Sequence, residues 1–206
     1  MIKTDQRLIV ALDVSAWEPL KNLVANLGAA VGFYKVGMEL YYSVGNEAIH
    51  FLRDQGKQVF LDLKLHDIPN TVARSAAVLT RLGPSLINVH AAGGPAMLQA
   101  AAAAAADTAA GLGIARPKLI AVTVLTSIGT ADWAALGYNT DLTGQVVRLA
   151  VMAQQAGADG VVASPREAAR IRRACGPDFL IVTPGIRPAA AAADDQTRTT
   201  TPARAL

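Results

Sequence analysis

Two acidic and two basic residues have the types and spacing of a charged reaction centre. Asp62, Lys64 and Asp67 stand in the run Asp62-Leu63-Lys64-Leu65-His66-Asp67-Ile68-Pro69-Asn70-Thr71, and Lys35 ends an earlier β-like run. Residues two apart on a strand share a face, so Asp62 and Lys64 point together and Leu63 and Leu65 point away. Asp67 follows where the strand gives way to a loop, and Pro69 blocks simple continuation. Opposite charges close by favour an ammonium over an amine, so a lysine between two carboxylates offers a charged donor. Burying a Lys–Asp–Lys–Asp array is costly unless every member is paired, which makes it a hint of function. An ion-pair network that merely closes the fold is the other reading of the same four residues.

The surrounding pattern explains how such groups would meet. Short β-like runs at 8–13, 33–36, 59–64, 86–90, 119–124, 160–163 and 180–183 alternate with helical runs at 17–27, 45–55, 71–82, 95–110, 143–156 and 165–174. Asn70, Asp141 and Ser164 are candidate helix caps. Strands separated by helices return in parallel, so an open doubly wound sheet and a (β/α)8 barrel both fit. No Gly-rich dinucleotide loop follows the first run. Asp13, Lys35, Asp62 with Lys64, His90, Thr123 with Thr126, Ser164 and Arg187 each lie at or just past a strand's carboxyl end. Groups spread over nearly every strand end favour the barrel, whose reactive face is built that way.

Composition sets the outer bounds. A chain of 206 residues, 52% hydrophobic and 17% charged, suits one α/β domain over residues 1–206. The formal charge of +3 is too small to suggest nucleic acid. Cys175 has no partner for an internal disulfide, and no Cys/His cluster has zinc-site spacing. The start has no apolar signal core, and the alanine tract at 100–106 reads as a helix outside the barrel. A soluble cytoplasmic protein is the expectation. His66 reads as a packing or supporting residue, and His90, at a strand end, reads equally as a packing or a site residue.

The run from Asp62 to Thr71 resembles the signature of the orotidine 5′-phosphate decarboxylase family. Four further segments are similar to that family in the same order. They are Ala11-Leu12-Asp13, Phe33-Tyr34-Lys35-Val36-Gly37, Val122-Thr123-Val124-Leu125-Thr126-Ser127, and Val182-Thr183-Pro184-Gly185-Ile186-Arg187-Pro188. Asp194-Asp195-Gln196 and Thr200-Thr201-Pro202 continue the pattern.

The resemblance implies a homodimeric, metal- and cofactor-free barrel enzyme acting on orotidine 5′-phosphate, with no role for nucleic acid or membrane. It makes Lys64 the proton donor to C6 of the pyrimidine and sets Asp62 by the departing carboxylate. Lys35 and Asp13 would bind the ribose hydroxyls. Asp67, Ile68 and Thr71 would reach the neighbouring subunit's site. Thr126 would touch the pyrimidine, Pro184 would line the substrate, and Arg187 with Gln196 would grip the 5′-phosphate under a lid at 188–199. The family also carries an eighth strand with a Gly-Arg pair and a closing helix, so the expectation here is a barrel lacking that unit. Two alternatives stay open: a magnesium-dependent sugar-phosphate lyase or decarboxylase sharing Asp-x-Lys-x-x-Asp, and a non-catalytic remnant.

Overall fold

The computed structural model describes residues 7–187, 200, 201 and 203. Among these residues seven strands form one parallel sheet in simple sequence order: β1 (Val10–Ala11), β2 (Phe33–Gly37), β3 (Gln58–Leu65), β4 (Leu86–His90), β5 (Lys118–Val122), β6 (Gly160–Val162) and β7 (Leu180–Val182). The helices are α1 (Trp17–Leu27), α2 (Met38–Val44), α3 (Glu47–Asp54), α4 (Pro69–Arg81), α5 (Gly94–Leu112), α6 (Thr130–Ala135), α7 (Leu142–Gln155) and α8 (Ala168–Cys175). Neighbour-to-neighbour order with a helix in each crossover is the barrel arrangement, not the switch-point order of an open sheet. All strands therefore end on one common face.

Period-two alternation divides each strand into an outer and an inner row. Outward residues such as Tyr34, Val36, Leu61, Ile87, Leu119 and Val161 pack under the helices in the larger core. Inward, Phe33, Phe60, Leu86 and Ile120 form a separate apolar layer, with Ile9, Val162 and Val182 against it. One step further along the same inner rows come Lys35, Asp62 and Asn88. On β2, β3 and β4 the inner row thus changes from apolar to polar or charged within two residues, and that step floors the site.

Gly160 sits where β6 meets β7, and a β-carbon there would collide with the backbone of Leu180. Beneath the sheet, Arg116 grips Asp159 through two bonds of 2.6 and 2.8 Å, and the same carboxylate accepts the N–H of Leu119 at 2.8 Å. Burial pushes the Asp159 carboxyl up, towards the protonated form, but the Arg116 bonds, the Leu119 N–H and the Lys118 charge together hold it below the ordinary carboxylate value.

Several boundaries differ from the sequence expectation for identifiable reasons. The run 45–55 is preceded by an unforeseen helix, α2, and the two are separated at Gly45, whose φ of 73° stops a right-handed helix. Helix α6 was likewise not foreseen. Asn70 does not cap α4, because Pro69 already opens the helix and Ile68 occupies the cap position without a side-chain bond. Asp141 does cap α7, accepting the N–H of Gly144 at 2.8 Å. Ser164 accepts the N–H of Arg166 at 3.3 Å, so it opens a turn ahead of α8 rather than the helix itself.

The alanine tract forms the middle of α5, burying Ala101, Ala105 and Ala109 one turn apart. Small side chains on that stripe let α5 lie close to its neighbours. Cys175 is buried, and burial raises its thiol despite the nearby Arg172 charge. Among the described residues no helix is long and apolar enough to cross a membrane.

Candidate active site

Asp62 is the hub of the site. It lies on β3 with only 8% of its surface exposed, and three donors surround its carboxylate. Lys64 Nζ donates to Oδ1 at 2.7 Å, Asn88 Nδ2 donates to the same oxygen at 2.6 Å, and Lys35 Nζ stands 3.6 Å from Oδ2. Lys35 also donates to Asp13 Oδ1 at 3.1 Å. Four expected residues from three strand ends are therefore in direct contact: Asp13 after β1, Lys35 on β2, and Asp62 and Lys64 on β3.

The local backbone is not a simple pleat. Leu61 pairs with Ile87 and Leu65 with Val89, so the three residues 62–64 of β3 lie opposite Asn88 alone on β4. Lys64 has φ 52°, the one positive value among the described non-glycine residues. Left-handed backbone disfavours a side chain by roughly 1–2 kcal/mol, and residues held there cluster at working sites. The bulge keeps Leu63 and Leu65 on the outer face, where both line a groove of about 330 Å³ with Tyr41, Arg74, Ser75, Val78 and Leu79. Facing of Asp62 and Lys64 thus follows the expectation, but a bulge with a left-handed residue achieves it.

Gly37 matters for space. A β-carbon there would lie 3.0 Å from Lys35 Nζ and 3.9 Å from Asp13 Oδ1, so the absent side chain leaves room for the ammonium.

Asp67 stands apart from the array. It is exposed, and its Oδ1 accepts the N–H of Ile68 at 2.7 Å. Ile68 is 67% exposed and Thr71 is also exposed, so these three lie on the outer surface of the fold. Thr126 is buried in the segment after β5, and Thr123 donates its hydroxyl to Val162 O at 2.9 Å. Pro184 and Arg187 follow β7 on the same strand-end face. The N–H of Arg187 donates to Thr200 O at 3.0 Å and the N–H of Thr200 to Gly185 O at 3.2 Å, which pairs position 200 with Ile186, next to Arg187. Gln196 and the expected lid at 188–199 lie outside the described residues.

His66 and His90 meet at 5.1 Å between ring centroids. Burial lowers the His90 imidazole below its ordinary value, and the nearby His66 and Lys64 charges lower it further against the opposing pull of Asp62. His90 therefore belongs to the margin of the charged array.

Asn88 was missed by sequence reasoning. The available signal was its position two residues after Leu86, as an uncharged polar residue inside an otherwise apolar strand and on the face of His90. Among the described residues no group of three or more His, Cys, Asp or Glu side chains is arranged to hold a metal.

A family model described as "Orotidine 5'-phosphate decarboxylase / HUMPS family" matches residues 6–206. A protein of Moorella thermoacetica named orotidine 5′-phosphate decarboxylase is 52% identical over 201 residues, covering 97% of this chain and 80% of that protein. A protein of the same name from Pelobacter propionicus is 48% identical over 197 residues, covering 96% and 81%. The crystal structure of orotidine 5′-phosphate decarboxylase from Lactobacillus acidophilus superposes with a TM-score of 0.84 at 43% identity, covering 98% of this chain and 85% of that one.

Proposed function

The chain belongs to the orotidine 5′-phosphate decarboxylase / HUMPS family, and from that membership we propose that it converts orotidine 5′-phosphate to uridine 5′-phosphate and CO₂ in pyrimidine synthesis, with Lys64 as the proton donor. The observation that carries the mechanism is the sequestered Asp62 carboxylate, flanked by Lys64 at 2.7 Å and Lys35 at 3.6 Å. In this reading the bond from C6 to the carboxyl carbon breaks and its electron pair stays on C6. The Lys64 ammonium lies beside that carbon, stabilises the growing negative charge and transfers a proton to form the C–H bond. Lys64 is left as an amine and regains its proton from solvent. Because the ammonium interacts more strongly with a carbanion than with a neutral ring, the gain is in the transition state.

The other residues bind and orient. Asp13 and Lys35 take the ribose hydroxyls, and their 3.1 Å contact supports a shared role. Thr126 and Pro184 line the pyrimidine. Arg187, with Gln196, takes the 5′-phosphate, to which a guanidinium offers a forked, charge-assisted contact. No step is routed through a metal or an organic cofactor.

We further read the protein as a homodimer whose Asp67, Ile68 and Thr71 complete the partner's site. Thr71, Arg74, Ser75 and Val78 follow helical i, i+3, i+4, i+7 spacing and so share one face of α4. Val78 is 58% exposed on that face, and Tyr42 nearby on α2 is 75% exposed. Thr71 lies one turn from Arg74 and Ser75, which line the groove, and the exposed apolar groups beside it favour association through this surface.

The test is a decarboxylation assay that follows loss of orotidine 5′-phosphate absorbance with and without EDTA. EDTA-insensitive turnover is expected. Turnover that EDTA abolishes favours the magnesium-dependent alternative, and no turnover or nucleotide binding by the folded protein favours the non-catalytic one.

A further inference from the structure

Three features outside the assigned chemistry invite explanation: an arginine-lined hollow under the sheet, the His66–His90 contact and the buried amide of Asn88. The hollow, about 350 Å³, is lined by Arg53, Arg81 and Arg116. Two of these already have structural duties, since Arg116 holds Asp159 and Arg53 donates to Leu82 O at 2.9 Å. The histidine contact lies at the margin of the array. Asn88 alone touches the reaction centre, and through both ends of its side chain.

We propose that Asn88 is a positioning residue for decarboxylation, an amide wedge that replaces the missing ladder bonds of the β3 bulge and locks Lys64 and Asp62 in their working geometry. This rests on the reading of Lys64 as proton donor. Asn88 is 1% exposed, so both halves of its amide need partners. Its Oδ1 accepts the backbone N–H of Lys64 at 2.8 Å, and its Nδ2 donates to Asp62 Oδ1 at 2.6 Å. Regular pairing lapses between Leu61 and Leu65, where three β3 residues oppose this one residue. Backbone strands cannot satisfy an N–H displaced by a bulge, but a side-chain amide reaching across from the next strand can.

The consequence is geometric control of the donor. Lys64 holds its left-handed φ of 52° only if surrounding contacts over-determine it, and the bond to Asn88 Oδ1 is its direct restraint from β4. The Nδ2 bond fixes the Asp62 oxygen that also receives Lys64 Nζ. One side chain thereby ties the backbone of the proton donor to the carboxylate that aims its ammonium. Leucine has similar size and neither polar end. Aspartate keeps an acceptor for the Lys64 N–H but cannot donate to Asp62 when ionised.

The experiment compares wild type, Asn88→Asp and Asn88→Leu in steady-state decarboxylation, with uridine 5′-phosphate affinity measured alongside. Both variants should lose kcat by roughly 10- to 100-fold, the range expected when a reacting group is misplaced by fractions of an ångström to one ångström. KM and nucleotide affinity should stay within about three-fold, because Asn88 has no contact assigned to ribose or phosphate. Wild-type kcat in either folded variant overturns the proposal. A loss confined to KM, or equal losses of affinity and kcat, overturns it too.

If the variants do not fold, amide hydrogen exchange on the wild type decides. The Lys64 N–H should be protected as well as the ladder N–H of Leu61, and rapid exchange overturns the proposal. A wild type with no turnover but a protected Lys64 amide would defeat the functional reading and leave the wedge standing, so the two failures are distinguishable.

Discussion

Replacing Asp62 by asparagine preserves shape and removes one charge from the centre of the array. In the wild type Lys64 Nζ lies 2.7 Å and Lys35 Nζ 3.6 Å from the carboxylate, with side-chain exposures of 11% for Asp62, 28% for Lys64 and 23% for Lys35. At an effective dielectric of about 20 these separations correspond to roughly 6 and 5 kcal/mol of gross attraction. Lost hydration offsets much of that, so the useful figure is the cost of leaving a buried partner uncompensated, about 3–5 kcal/mol. Two ammonium groups would then face each other without their shared anion. For a chain of this size the melting temperature should fall by about 6–20 °C. Turnover should fall as well, by roughly 100-fold or more, because the donor loses the group that aims it. Thermal unfolding and steady-state decarboxylation on one preparation give both numbers. An Asp62→Asn protein that melts within a degree of wild type and retains its turnover would refute the claim that this carboxylate organises the site.

Gly37→Ala should displace the Lys35 ammonium by a few tenths of an ångström, since the new β-carbon would stand 3.0 Å from Nζ. Turnover should fall by roughly 3- to 10-fold, while stability should change by under about 1 kcal/mol because a flexible side-chain end can yield; a large melting shift would contradict this. His90 should make stability depend on pH just below its ordinary value of 6.5, since the folded protein lowers that value. The unfolded chain takes up a proton there that the folded one resists, so stability is full above about 6.5 and declines as pH falls through the folded value. Urea titrations of wild type and His90→Gln should differ in that window, with a flatter slope in the variant. Arg187→Ala should erase most of the preference for uridine 5′-phosphate over uridine, a loss of roughly 10- to 100-fold in nucleotide affinity. Equal affinity of variant and wild type for the nucleotide would remove Arg187 from the phosphate site.

Much of this arrangement was legible because strands and polar groups follow short-range rules. Strand β4 and helix α1 fall where alternation and helical spacing put them, at Leu86–His90 and Trp17–Leu27. Lys35, Asp62 and Lys64 converge because period-two facing and parallel order bring successive strand ends together. The parts that were not legible depend on longer-range compensation. The bulge at residues 62–64 is invisible to an alternation rule that still yields the correct facing, and the left-handed Lys64 is unexpected for a residue with a long side chain. Asn88 escaped notice because its role exists only against that bulge. Helices α2 and α6, seven and six residues long, are too short for apolar periodicity to stand out.

Proton delivery by Lys64 is tested most directly by Lys64→Ala, assayed for orotidine 5′-phosphate decarboxylation beside direct measurement of uridine 5′-phosphate binding. Loss of a positioned general acid is worth roughly 100- to 10,000-fold, so turnover should drop by at least that range while the product nucleotide still binds and the fold persists. Near-normal decarboxylation by the variant would contradict the account, whatever the rest of the array does.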